Sequence, residues 1–364
     1  MKYINVIETN LNNKEDHILY YLKGTDYYHD FLDAMECLEK EGVIDSEKLK
    51  KALLEKLQLK PNRKFNSNKY LQGVSEILFW IYCARNGFKI HPEHKLNKDN
   101  GTDVDARIEN EGVFFNIEVK CPNQEDFFED EIKGSLAYRV PGVSKEEADS
   151  MMKDIDDMLK QAIDKHPEMG VRSSMIKKTN DNKIITFMDS AQSKFSYSDN
   201  EMNVLVIALT SEQMQLYYNY LCNPYSGILS GNLSQFGRTE SEFDKIDLVL
   251  LTNIVSGHLA ETNINAWELN DYCTVGFINQ FSHGIKKFSK PLSKFVEIFP
   301  DEAKRFQEER NVILKSRKNM PVDEMFFYEY LSKYHHDIYN PNEKRKYWFE
   351  DGKVASDLIG DKNL

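Results

Sequence analysis

The chain has 364 residues, 41% of them hydrophobic and 29% charged, with 19 Tyr and 21 Phe, a composition that buries a core and excludes a disordered chain. Its net charge of −12 excludes a protein that coats nucleic acid through overall basicity. It leaves room for a local basic groove, or for metal ions that bring positive charge to a phosphate.

The amino terminus MKYINVIETNLNNKEDH lacks the basic start and apolar run of a signal peptide, and nowhere do eighteen apolar residues follow one another. Five cysteines (Cys37, Cys83, Cys121, Cys222, Cys273) stand apart without a CxxC pair. They read as reduced thiols, so the expectation is a cytoplasmic protein with no membrane partner.

Residues 1–66 read as a helical region, with apolar stripes at Phe31, Ala34, Met35 and Leu38 and at Leu49, Leu53, Leu54 and Leu57. The stretch PNRKFNSN at 61–68 breaks that pattern, and a strong helix follows over 70–86 with Gly87 in the position of a left-handed cap. Three strands are predicted next, at 88–95, 102–108 and 113–121, the last two joined by the turn-like ENEG at 109–112. The segment 145–166 sets Met151, Ile155, Met158, Leu159 and Ile163 on one helical face, and a polar, basic loop near 170–183 leads to an apolar strand at 202–209. A helix at 211–222 and strands near 246–254 and 272–278 extend the sheet, and residues 283–364 read as helical again. The organisation expected is 1–66 helical, 67–282 a central α/β domain, and 283–364 helical, without internal repeats.

Register is where this sequence says most. Side chains alternate faces along a strand, so Asp103, Asp105 and Arg107 share one face of the second strand, and Phe114, Asn116, Glu118 and Lys120 share one face of the third. If paired residue numbers sum to 221, Asp103 lies opposite Glu118; if they sum to 223, Asp105 does. An even sum sets Asp105 against Phe115 or Ile117, charge against apolar neighbours, and is disfavoured. Either odd register gathers at least three carboxylates and one ammonium. Like charges at that density repel unless a cation sits among them, and all-oxygen donors favour Mg²⁺ or Mn²⁺. Lys120 would then lie beside the metal, steadying charge that develops on a phosphate or helping to deprotonate a water. Glu76, on a helix with very apolar surroundings, is costly to bury alone, and a place beside the metal or Lys120 would resolve that cost.

Glu76 on a helix, then Asp105, then Glu118-Val119-Lys120 on an apolar strand resemble the PD-(D/E)XK nuclease superfamily over roughly residues 69–209. The Pro that names the motif is absent; Val104 precedes Asp105, with Gly101 a few residues ahead. The resemblance implies an α/β, restriction-endonuclease-like core (helix, three strands, helix, strand; a mixed central sheet flanked by helices) with helical additions at both ends. It also implies Mg²⁺ or Mn²⁺ held by Asp105, Glu118 and the Val119 carbonyl, with Asp103 as the alternative aspartate. Lys120 would act on the nucleophilic water, Glu76 would support the site, and Gln161 is the candidate for a Gln on the helix after E-x-K. The implied activity is metal-dependent hydrolysis of nucleic acid phosphodiesters, DNA before RNA, in restriction, phage defence or repair, in a protein that works as a homo-oligomer or with an activating partner. The rivals are an RNA-cleaving enzyme and a catalytically silent module that binds nucleic acid or protein.

Blander readings stand beside these. E-x-K on a strand arises often by chance, and Glu76 is equally a helix carboxylate bonded to Gln72 one turn earlier or to a basic group from another element. His91, His94, His335 and His336 read as surface histidines. The basic residues of 170–183, 304–318 and 344–346 read either as a phosphate track or as solvated faces. No Gly-rich phosphate loop, Ser-His-Asp arrangement or dinucleotide fingerprint appears.

Overall fold

The computed structural model describes residues 3–96, 103–123, 145–167, 180–222, 227–230, 233, 238–259, 265–272, 274–279 and 281–283. It also describes residues 291, 294–295, 298, 346–350 and 353–354. Helices α1 (Tyr3–Asn12), α2 (Ile18–Tyr21), α3 (Asp26–Lys40) and α4 (Glu47–Lys56) precede the long α5 (Ser67–Asn86). Helix α5 is bounded as its sequence dictates. The Asn66 side chain accepts the N–H of Lys69 at its start, and Gly87 closes it with φ +69°, a left-handed conformation that glycine adopts without Cβ strain.

A mixed sheet follows, with strands in the spatial order of the sequence: β1 (Lys89–His94), β2 (Val104–Asn110), β3 (Val113–Lys120), β4 (Glu201–Ala208), β5 (Leu248–Thr252) and β6 (Thr274–Ile278). Strands β1–β3 form an antiparallel meander, β3, β4 and β5 run parallel, and β6 turns back. The chain is thus α/β with helices on the sheet. The expected helical character of 283–364 gives way at two places, where β7 (Lys346–Glu350) and β8 (Lys353–Val354) add to the β6 edge and bring the sheet to eight strands. KYWFE is rich in aromatic residues that fit a pleated surface, which is why it pairs as strand.

Apolar side chains fill both faces of the sheet. Phe115, Ile117, Val119, Val204 and Val206 pack on α5 and, through it, on the N-terminal helices, so residues 3–59 share a core with the sheet. Leu205, Ile207, Val249 and Leu251 face the opposite layer, made of α7 (Asn180–Lys194) and α8 (Ser211–Cys222). Between β3 and α7 lies α6 (Lys145–Lys165), the helix expected at 145–166. Its Met151, Met158 and Leu159 are exposed, so the helix that covers the sheet after β3 is α7 instead. Its apolar spacing (Ile184, Met188, Ala191, Phe195) lies just beyond the segment read as a loop. Among the described residues no helix is long and apolar enough to cross a membrane. The free thiols of Cys37, Cys83 and Cys121 form no disulfide.

Candidate functional site

The hairpin turn sets everything that follows. Glu111 (φ +48°) and Gly112 (φ +77°) both adopt left-handed backbone, the requirement of a two-residue type I′ turn, and Asn110 pairs with Val113. That pairing sums to 223 and continues through Arg107↔Asn116 to Ala106↔Ile117, so the same register brings Asp105 level with Glu118. On the other side β1 pairs with β2 through Pro92↔Ala106 and His94↔Val104, which sets Glu93 level with Asp105. Three carboxylates therefore lie across three adjacent strands at one height, at the end of the sheet where β3 and β4 finish with their carboxyl ends. In α/β sheets ligands gather at that end.

Asp105 stands in a fork. Recorded pairing of β2 with β3 stops at Ala106↔Ile117 although both strands continue, and the Asp105 Oδ2 accepts the Val119 N–H at 2.7 Å. Ala106 and Ile108 pack on the α5 side while Val104 packs on the opposite side, so the alternation of β2 breaks at Asp105. The Trp80 indole N–H holds the Asp105 carbonyl at 3.1 Å. The carboxylate is thus fixed between two polar groups of residues.

On one side is Glu118, fully buried. Its Oε1 takes the ammonium of Lys120 at 2.7 Å and that of Lys194, the last residue of α7, at 2.6 Å. Its Oε2 is buried with no hydrogen-bond partner among the described residues. Burial raises the Glu118 pKa and the nearby Asp105 raises it further, against Lys120 and Lys194. Burial lowers that of Lys194, but Glu118 and Asp105 prevail and the ammonium is held.

On the other side one oxygen each from Glu76, Glu93 and Asp105 lie within 4.8 Å of one another, close enough to share a cation. The cation there is an ammonium. Lys56, the last residue of α4, pairs with Glu76, with Glu93 at 2.6 Å and with Asp105 at 3.9 Å. Glu76 also accepts the Gln72 amide, so both bland partners considered for it are present, together with a place beside Asp105. Gln72 reaches further: its amide N–H donates to the Val119 carbonyl at 2.9 Å and its carbonyl accepts the Cys121 N–H at 2.7 Å. It clips the E-x-K strand to α5.

The remaining sequence candidates fall outside. Asp103 pairs with Lys48 (3.6 Å) and Lys95 (4.0 Å), so of the two aspartates it is Asp105 that joins the convergence. Gln161 is exposed on α6. The tilted rings of His91 and His94 lie 5.8 Å apart and belong to no metal-sized cluster among the described residues. His335, His336 and residues 304–318 lie outside the described residues. Sequence reasoning missed Lys56, Glu93 and Lys194, and it named Gln72 only as a partner of Glu76, not for its hold on the E-x-K strand. A local signal exists only for Glu93, in the Pro92 that disturbs β1, after which Glu93 sits at φ +51°.

A cleft of about 640 Å³ opens beside Glu76, lined by Lys56, Arg63, Asn66, Lys69 and Gln72 among others. Polar groups and cations outnumber acids along it.

Burial first, then Asp105, pushes the Glu76 pKa well above the ordinary carboxylate range, against Lys56 and Gln72. A raised acid binds a proton in the folded state that the unfolded chain has released, so its contribution to stability is full below the unfolded pKa and lost as pH rises. In chelator, urea unfolding at pH 5, 6.5 and 8 is therefore expected to show stability falling with pH, and Glu76→Gln to flatten the fall. Parallel profiles for the two proteins would contradict this.

Comparison of the chain with protein-family models, with curated proteins and with solved structures returned no match.

Proposed function

We propose that this protein is a metal-dependent nuclease that hydrolyses phosphodiester bonds, in DNA before RNA, at the carboxyl end of β3. The observation that carries the reading is Glu118. It is a fully buried carboxylate, level with Asp105, with one oxygen held by two ammoniums and the other without a partner among the described residues. A buried, unsatisfied carboxylate oxygen costs free energy unless a ligand completes it. Asp105, Glu118 and the second lone pair of the Val119 carbonyl would hold the ion, an all-oxygen donor set of the kind that suits Mg²⁺ or Mn²⁺. Bound there, the ion would polarise a phosphoryl oxygen and lower the pKa of a coordinated water.

The chain's own groups supply the rest. Lys120 and Lys194 are oriented by the shared Glu118 oxygen, and their remaining protons are free to meet oxygen charge as it grows at phosphorus. Gln72 holds the Val119–Cys121 backbone, and so the donors on it, at a fixed distance from α5. The polar cleft beside Glu76 brings Lys56, Arg63 and Lys69 to its wall together with Glu55 and Glu76. These features support the resemblance to the PD-(D/E)XK superfamily; a restriction-endonuclease-like core, a cytoplasmic setting and a role in restriction, phage defence or repair belong to the same proposal through that resemblance alone.

The test is a cleavage panel of plasmid, single-stranded DNA and RNA with Mg²⁺ or Mn²⁺. Cleavage of a DNA substrate is expected, with loss of at least about a hundredfold in Lys120→Ala and complete loss in excess chelator. Activity that survives chelator would refute the metal mechanism, and cleavage confined to RNA would change the substrate. A second reading, a silent nucleic-acid-binding module, draws on the Lys56 ammonium, which already neutralises part of the carboxylate cluster. Binding without cleavage across the whole panel would establish it.

A further inference from the structure

The densest acidic cluster of the site is the Glu76–Glu93–Asp105 trio, and a protein side chain sits in it. We propose that Lys56 is a resident ammonium occupying a second cation position, so that the centre takes one divalent ion, at Asp105 and Glu118, rather than two. The inference rests on the nuclease reading for the first ion only.

Three observations carry it. Lys56 Nζ meets all three carboxylates, 2.6 Å from Glu93, 3.9 Å from Asp105 and in contact with Glu76, so the cluster already holds a cation among its oxygens. The side chain is 13% exposed, although it borders the cleft, and its ammonium lies 5.5 Å from the centre of the Trp80 ring, so an aromatic face backs it while three carboxylates hold it. Its backbone is equally fixed. Gly73 of α5 lies so close to the Lys56 carbonyl that a Cβ there would overlap it. A divalent ion entering the trio would have to expel the ammonium from a place that both ends of the residue define, against like-charge repulsion that grows as the surroundings become less polar.

Chemistry distinguishes the two positions. The ion at Asp105 and Glu118 finds Glu118 Oε2, which has neither a hydrogen bond nor an ion pair among the described residues, whereas in the trio Lys56 and Gln72 engage Glu76 and the Lys56 ammonium engages Glu93 Oε1. Two-ion phosphodiesterases set their ions about 4 Å apart to hold the attacking and leaving oxygens. Here the second of those charges is supplied by a lysine from the N-terminal helices. An ammonium neutralises charge without coordinating water, so the second position does not generate a nucleophile.

The experiment counts bound Mn²⁺ by calorimetry and by electron paramagnetic resonance on the full chain. Wild type is expected to bind one ion and Lys56→Met two, with Lys56→Arg remaining at one. Glu93→Gln, in the wild-type background, is expected to change Mn²⁺ affinity less than about threefold, because Glu93 serves the ammonium. Two ions in wild type, or a tenfold or greater loss in Glu93→Gln, would overturn the proposal even if Lys56→Met does not fold. One ion in both wild type and Lys56→Met would overturn it while leaving the nuclease reading intact. No ion in wild type and one in Lys56→Met would support the role of Lys56 and refute the metal-dependent mechanism.

Discussion

Glu118→Gln is expected to lower Mg²⁺-dependent cleavage at least about a thousandfold and to abolish any rise in melting temperature on adding Mn²⁺. The amide keeps the shape of the side chain and removes its charge, so the all-oxygen site at Asp105 loses its anionic partner. Stability should move far less. Lys120 and Lys194 would lose the oxygen they share, and breaking a buried ion pair is costly. Two features reduce that cost. Each lysine is about one-fifth exposed and can turn to water, and burial already disfavours the ionised form of Glu118. A loss of about 1–2 kcal/mol is the expected balance. Cleavage assays and thermal melts with and without Mn²⁺, run on one preparation, separate the two effects. A variant that keeps a tenth or more of the activity would remove Glu118 from the chemistry.

Gly73→Ala is the second large effect, and here stability moves first. In an exposed helix interior, Gly→Ala gains about 1 kcal/mol from backbone entropy. At position 73 the new Cβ overlaps the carbonyl oxygen, carbon and Cα of Lys56, main-chain atoms that cannot rotate aside. Relief requires α4 to move away from α5. Leu53, Leu57 and Leu59 are buried there, and the His17 ring bonds the Leu57 carbonyl at 2.8 Å, so that movement opens the core. Overpacking of this kind costs about 1–3 kcal/mol and outweighs the helix gain. The displacement also draws Lys56 away from Glu76 and Glu93. Urea unfolding should show a net loss, and Mn²⁺ binding should shift in the same direction as in Lys56→Met. A variant as stable as wild type would mean that the two helices separate more readily than their packing implies.

Much of the site was legible because local rules determine it. The strict alternation of VFFNIEVKC fixes which side chains share a face, and the cost of setting Asp105 against Phe115 or Ile117 disfavours an even pairing. Together they restrict the hairpin to odd registers and bring Glu118 to the level of an aspartate. The strand at 202–209 and the helix ending at Gly87 were readable for the same kind of reason, continuous apolar character in one and a cap in the other.

What stayed hidden depends on packing between distant segments. The choice between sums of 221 and 223 is made by the left-handed backbone of Glu111 and Gly112, and the break of alternation at Asp105 by the fork between strands. Helix α7 was obscured by polar residues on its outer side, and the exposed stripe of α6 imitated the helix that should cover the sheet. Lys56 and Lys194 carry no local mark, and nothing local shows that Gln72 reaches β3, since a lysine at a helix end or a glutamine on a helix is usually solvated. By itself the sequence determined the faces of β3, the register parity and the place of Glu118 and Lys120 on one face, because strand period acts over a few residues. Only the tertiary structure decided that the carboxylates at Asp105 divide into two groups, one held by Lys120 and Lys194 and the other by Lys56. Charges that meet across six separate elements are set by how those elements pack, which no spacing along the chain records.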